Sequence, residues 1–193
     1  MRGIKLLTLS VFSTAFLSFT PINKKYIVID AGHGGNDNGV VYGQFSEKDI
    51  SLGIAKEIQK ISQGQDKYEI VLTRDADNYP SLAERTHQIN ALNPEMVISI
   101  HVNKSPQEET PNHGAEVYIQ NSEASKKLAE KISKKFDTQR ILERNLHILR
   151  ETKAPAVLVE VGFLNNSNDR KYITSEEGQK EIAQKFVDVI NEY

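Results

Sequence analysis

Two histidines and two glutamates offer this sequence its chemistry. His33 sits inside a glycine turn, Gly32-His33-Gly34-Gly35, directly after an apolar run. His101 closes a second run, Met96-Val-Ile-Ser-Ile-His101, and Glu160 closes a third, Ala156-Val-Leu-Val-Glu160. Glu47 follows Ser46 at what reads as the start of a helix. Two neutral imidazoles and one carboxylate with an open fourth position make a catalytic zinc site. A carboxylate beside such a site, but not on the metal, can take a proton from water and later give it to a leaving amine. Each residue also has an ordinary reading. A histidine after a strand bonds to a turn. A first-turn glutamate is favoured by the helix dipole. An acid after an apolar run forms a salt bridge. The metal reading rests on all of them meeting at one place.

The elements that must bring them together can be read in order. Tyr26 to Ile29 is short and β-branched, as a buried strand is. Gly32, Gly34 and Gly35 allow a tight turn around His33. A polar loop over residues 36–45 precedes Ser46-Glu47-Lys48-Asp49, which predicts a helix start with Ser46 as N-cap and Asp49 as capping-box acid. Ile50, Ile54, Ile58 and Ile61 then make one apolar stripe ending near Gly64. Tyr68 to Thr73 reads as a strand. Ser81 to Leu92 reads as a helix stopped by Asn93-Pro94, and the Met96 to His101 strand follows. Residues 102–113 make a polar surface loop with Pro106 and Pro111. Ala115 to Ile119 alternates and predicts a strand near an edge, with one wet face. Ser122 caps a helix carrying Leu128, Ile132 and Phe136. Residues 137–153 have no clear pattern, with a short strand or turn at Asn145 to Arg150. Ala156 to Val161 is the last strand, and Ser175 opens a closing helix with Ile182, Phe186, Val189 and Ile190.

Strands alternate with helices, and several strands are apolar on both faces. The expected fold is a single α/β domain over residues 24–193, a mostly parallel twisted sheet with helices on both faces. Ligands bind outside the carboxyl ends of strands in such sheets. His33, His101 and Glu160 lie at such ends. A helix entering from a strand's carboxyl end begins at the same edge, and its side chains lean toward its N-terminus. Glu47 therefore leans toward the other three, and the zinc site belongs at that edge.

Composition narrows the classes. The chain has 193 residues and a formal net charge of -2, from 24 basic and 26 acidic residues, so nothing points to nucleic acid. It has 0 cysteines, which excludes disulfides, thiolate ligands and a cysteine nucleophile, and leaves His, Asp and Glu to hold any metal. Arg2 and Lys5 precede an apolar run, Leu6 to Phe19, too short to span a bilayer. Residues 1–20 are read as a signal peptide, so the mature protein is exported to the periplasm, cell envelope or exterior, with no membrane attachment after cleavage. Loss of Arg2 and Lys5 takes the charge from -2 to -4.

The sequence resembles the zinc-dependent N-acetylmuramoyl-L-alanine amidases, a family of bacterial cell-wall hydrolases. The matching segments are Ile29-Asp-Ala-Gly-His-Gly-Gly35, Ser46-Glu-Lys48, Thr73-Arg74, Leu82-Ala-Glu-Arg85 with Asn90, Ser99-Ile-His-Val-Asn103, Gly114-Ala-Glu-Val-Tyr118, Leu149-Arg150, and Pro155 to Asn166. They occur in the family's order over nearly all of residues 25–193, and the ordered set is specific where each piece alone is weak. The resemblance implies that His33, Glu47 and His101 hold one Zn2+ per chain and that Glu160 is the catalytic glutamate. It also implies the reaction: hydrolysis of the amide between the lactyl group of N-acetylmuramic acid and L-alanine of the peptidoglycan stem peptide. Val102 stands where alanine is common, and residues 140–151 are less typical. The loop over 102–113 is too short and polar for the zinc-covering helix that some members insert. Arg85 and Asn90 read as structural and His87 as an exposed helix residue; His113 and His147 read as surface or structural residues, with a place near the groove as their alternative. Peptidoglycan is the expected partner and the chain is read as a monomer. The competing readings are a catalytically inactive wall-binding module and a zinc peptidase acting within the stem peptide.

Overall fold

A computed structural model of the chain describes residues 25–193 apart from Asn121 and Gln139. The signal segment expected over residues 1–20 lies outside the described residues. Strand β1 (Lys25–Ala31) runs into the glycine turn, and a small hairpin of β2 (Val41–Tyr42) and β3 (Phe45–Ser46) leads to helix α1 (Glu47–Ile61). Then come β4 (Tyr68–Leu72), α2 (Leu82–Leu92), β5 (Met96–Asn103), β6 (Glu116–Ile119) and α3 (Glu123–Lys135). The chain closes with β7 (Ile141–Glu143), α4 (His147–Glu151), β8 (Ala156–Phe163), α5 (Ser167–Ile173) and α6 (Glu176–Glu192).

The sheet has the strand order β4-β1-β5-β8-β6-β7. Only the β6–β8 pairing is antiparallel. Because strand side chains alternate, the sheet has two different faces. Ile27, Ile29, Ile98, Ile100, Val157 and Val159 pack into the larger core with α1, α3 and α6. Val28, Val97, Ala156 and Leu158 face the other way, against Ile89 of α2 and Ile148 and Leu149 of α4. The second face turns polar toward the carboxyl ends, where Asp30, Ser99, His101, Glu116 and Glu160 continue the same alternation.

Four local expectations change. β6 does lie near an edge, one strand in, but its expected wet face is covered: β7 pairs along its outer side and three of its four residues are buried. The segment at 145–150 enters helix α4 rather than a strand. The Ser46 hydroxyl bonds the Asp49 carboxylate at 2.5 Å and makes no backbone cap; the Lys48 amide, which a cap could take, is met by the Asn38 carbonyl at 3.3 Å, and the Glu47 amide by Val40 at 2.8 Å. The polar stretch after the glycine turn contains the β2–β3 hairpin. Elsewhere the reading holds. Ser81 forms a full capping box with Glu84, and α2 ends on Asn93 in the left-handed region. The segment from Lys104 to Ala115 is a loop, tied down through Asn165, whose side chain bonds Ser105 and Gln107.

A buried ion pair underlies the polar end of the second face. Asp30 accepts from Arg85 at 2.8 Å, Thr73 at 2.7 Å and Ser99 at 2.6 Å. Burial pushes the Asp30 carboxyl up, but the Arg85 charge and the three hydrogen bonds outweigh it and hold it below its ordinary 3.8. Asp30→Ala strands the Arg85 guanidinium, and chemical denaturation should register a loss of about 3–5 kcal/mol. The depressed carboxyl stabilises the fold above its ordinary range, and that stabilisation is lost as pH falls through the lower folded-state value. The acid-induced loss of stability in the parent protein should therefore be smaller in Asp30→Ala.

Candidate metal centre and active site

His33 is placed by backbone rather than by a strand. It adopts φ 59, in the left-handed region that few non-glycine residues occupy. Three carbonyls of its turn are held by arginines. Arg74 donates to Ala31 O at 3.0 Å and Gly32 O at 2.8 Å, and Arg85 donates to Ala31 O at 2.6 Å and His33 O at 2.5 Å. Gly32 is required by space: a Cβ there would lie 2.5 Å from the His101 ring. His101 arrives from the polar face of β5. Glu47 arrives from the first residue of α1, and its carboxylate accepts from the Val40 amide at 2.8 Å and the Val102 amide at 3.0 Å.

The three side chains converge. Glu47 Oε1 lies 3.1 Å from His33 Nε2 and 2.7 Å from His101 Nδ1. One ligand atom from each residue fits within a 4.8 Å cluster. The far nitrogen of His33, Nδ1, bonds Asp37 Oδ2 at 2.9 Å, which orients the ring and leaves Nε2 for the centre, as carboxylate–histidine pairs do in metal sites. Burial pushes His33 down, but its bonds to Glu47 and Asp37 and their charges raise it to about 9. Burial opposes ionisation of Glu47 too, yet the bonds and charges of His101 and His33 hold it well below its usual range. His101 is likewise raised by Glu47 against the effect of burial. Two nitrogen donors and one deeply ionised oxygen donor form a set that a divalent zinc ion fits.

Glu160 stands apart from this cluster. It is the register partner of His101 in β8, and Glu116 of β6 is the register partner of Glu160, so the three form a row across adjacent strands. The two outer members are engaged. Glu116 accepts from Arg140 at 2.7 Å, Asn103 at 3.1 Å and the Tyr118 hydroxyl at 2.8 Å. Glu160 Oε2 is buried without a hydrogen-bond partner among the described residues. Burial raises its pKa, Glu47 and Glu116 raise it further, His101 and His33 pull it back, and it settles at about 7. That suits a group that takes and gives a proton near neutrality.

All four expected residues thus lie at one sheet edge. His101 and Glu160 stand inside their strands rather than at the last residue, because β5 runs to Asn103 and β8 to Phe163. Arg85 supports the His33 turn, and Asn90 clamps the chain before β8 through Glu151 O at 2.8 Å and Lys153 N at 2.9 Å. His87 and His113 are exposed and lie outside the site. His147 takes its alternative place: it lines the cavity that His33 and His101 open into. Asp37 and Glu116 escaped the sequence reading. Asp37 had a usable signal, an acid four residues after a histidine in a glycine turn.

The arrangement is a His–Glu–His group that could hold a metal ion, set at the carboxyl ends of an α/β sheet. Comparison with known proteins gives the family. The model of the N-acetylmuramoyl-L-alanine amidase family matches residues 27–192. The uncharacterized protein YqiI of Bacillus subtilis is 32% identical over 183 residues, covering 90% of this chain and 86% of its own. The endolysin of Bacillus phage SPP1 is 30% identical over 87% of this chain, which spans 65% of the endolysin, just under two thirds. The solved catalytic domain of CwlV, an N-acetylmuramoyl-L-alanine amidase from Bacillus (Paenibacillus) polymyxa, superposes with a TM-score of 0.82 at 36% identity, over 88% of this chain and 97% of that one. This chain belongs to the N-acetylmuramoyl-L-alanine amidase family, whose activity is hydrolysis of a peptidoglycan amide bond.

Metal binding at this centre requires neutral imidazoles, so it releases protons and weakens as pH falls. With His33 raised to about 9 in the metal-free site, zinc titration near neutrality should release protons, measurable by calorimetry in buffers of different ionisation enthalpy. Asp37→Ala should lower zinc affinity by about 10–100-fold in chelator competition, while His33→Ala abolishes it with the fold intact. Stoichiometric zinc retained by His33→Ala would sink the ligand assignment.

Proposed function

We propose that the protein is an exported, monomeric zinc amidase that separates the stem peptide from the glycan at the lactyl–L-alanine amide. His33, Glu47 and His101 hold one zinc ion. Zinc held there supplies Lewis acidity, polarising the scissile carbonyl and making water a stronger acid. Glu160 does the proton work. It accepts a proton from the attacking water as the water oxygen bonds to the lactyl carbonyl carbon. It then delivers that proton to the L-alanine nitrogen as the C–N bond breaks, leaving a lactyl carboxylate and a free amine. Asp37 keeps His33 turned, and Glu116 adds a fixed negative charge beside Glu160.

The observation that carries this reading is the unpartnered, buried Glu160 oxygen in register with His101. A structural acid in that position would have acquired a partner, as Glu116 has in Arg140. The same observation speaks against an inactive wall-binding module, which has no use for a costly free carboxylate. Among the described residues no helix is long and apolar enough to cross a membrane. Export rests on the basic start and short apolar run of residues 1–20.

Glu160→Gln keeps shape and cannot take the proton. It should bind zinc normally and lose about 10²–10⁴-fold in stem-peptide release from purified peptidoglycan, followed by mass spectrometry. Near-normal activity, or loss of zinc, would remove Glu160 from this role. Products that keep L-alanine on the muramic acid would leave the site reading standing and replace the amidase with a peptidase. For location, N-terminal sequencing of protein recovered outside the cytoplasmic membrane should begin between Phe19 and Lys25. An intact residue 1–20 segment on membrane-bound protein would favour an anchor.

A further inference from the structure

The cavity beside the metal centre has a volume of about 260 Å³ and extends away from His33 and His101 toward Tyr79 and Leu82. These two are among the few large apolar side chains left open to solvent, at 51% and 50% exposure. Tyr79 is not on a loose loop. Lys48 Nζ donates to Gly35 O at 2.8 Å and to Asp77 Oδ2 at 2.9 Å, and the Gly35 amide donates to Asp77 Oδ1 at 2.7 Å. The loop packs so closely on the glycine turn that a Cβ on Gly35 would meet Tyr79 Cβ at 3.2 Å, and one on Gly34 would collide with Asn78 O. The backbone and Cβ of Tyr79 are therefore held against the turn that positions His33, with the side chain open to solvent at the cavity. An exposed aromatic fixed at the mouth of a site is a recognition surface rather than a core residue left over.

We propose that Tyr79, with Leu82, is the platform on which an N-acetylated amino-sugar ring of the glycan stacks while its lactyl amide enters the metal centre. The chemistry around the platform selects the sugar over the peptide. Asp75, Asp77 and Asn78 precede Tyr79 on the exposed loop, and Asp37 lies on the cavity wall. Their side-chain oxygens keep lone pairs that can accept from sugar hydroxyls; Asp77 is paired with Lys48 and Asp37 with His33, so the selection rests on these acceptors and on the aromatic face rather than on net charge. A pyranose offers an uncharged C–H face to the aromatic ring and hydroxyls at its rim. The proposal rests on the amidase reading only in taking peptidoglycan as substrate.

Inhibition of peptidoglycan hydrolysis by two probes tests it: a neutral N-acetylglucosamine tetramer and free stem peptide. Tyr79→Ala should weaken inhibition by the sugar roughly 2- to 12-fold, the range expected for losing one aromatic contact, and leave inhibition by the peptide unchanged. Tyr79→Phe should behave as the parent. The sequence has 0 tryptophans, so Tyr79→Trp puts a unique fluorophore on the platform. Its emission should change saturably with the sugar and not with the peptide. Absence of sugar binding by the parent, equal sugar inhibition in Tyr79→Ala, or a loss confined to the peptide would each overturn the proposal. None of these outcomes depends on which bond the enzyme cuts, so the platform and the amidase reading can fail separately.

Discussion

Two buried guanidiniums gripping one turn are the constraint on which the site depends. Arg74 comes from the end of β4 and Arg85 from α2, and between them they bond the carbonyls of Ala31, Gly32 and His33. Arg74 also bonds Lys48 O at 2.8 Å, which brings the start of α1 into the same knot. The left-handed backbone of His33 costs energy for a residue with a Cβ, on the order of 1–2 kcal/mol, and these charge-assisted bonds more than offset it. Desolvating two cations needs an anion, and Asp30 supplies it under Arg85. The positions of β1, β4, α1 and α2 are thus fixed relative to one imidazole.

The same geometry explains why the two carboxylates at the centre behave differently. Glu47 is the first residue of a helix and accepts two backbone amides besides facing two imidazoles. Each of those favours the ionised form, so it is a permanent anion suited to a cation. Glu160 is set in a strand between His101 and an already engaged Glu116, and among the described residues no donor reaches its Oε2. Burial and the neighbouring carboxylates outweigh the pull of His101 and His33, and its pKa sits at about 7. Environments that push two carboxyls in opposite directions suit them to different tasks: Glu47 to holding a cation, Glu160 to exchanging a proton.

Much of this was legible in the sequence, for physical reasons. Buried parallel strands must be apolar on both faces, so β1, β5 and β8 announce themselves, and any polar residue near their carboxyl ends stands out. Ser81 with Glu84 encodes its own cap, and α2 begins where that pair says. Ser46 with Asp49 has the same spelling, yet the Lys48 amide is claimed by Asn38 of the preceding loop, and the hydroxyl turns to Asp49 instead. A tertiary contact overrode a local signal there. β7 has only three residues, too short for any period, and exists because β6 had an open side. Glu116 and Tyr79 were invisible for a related reason: their meaning comes from what the fold sets beside them.

Satisfaction of polar groups also sets the parts of the site apart. Around the His33 turn nearly every buried donor and acceptor is matched, and the arginines reach backbone, Asp30 or Ser51 with their nitrogens. Near the candidate centre some capacity stays unmet. Among the described residues Glu160 Oε2 and His147 Nε2 are buried without partners, and Tyr79 and Leu82 keep apolar surface in water. A buried polar atom left unpaired costs about 1–3 kcal/mol, and exposed apolar surface costs more as its area grows. Unmet atoms also occur away from the site, at Ser62, Gln120 and Thr152, so an unpaired atom alone does not mark a site. What sets Glu160 apart is its place in register with His101: the turn beneath is held rigid by the arginines, and the unmet carboxylate oxygen stands on the strand next to a candidate metal ligand.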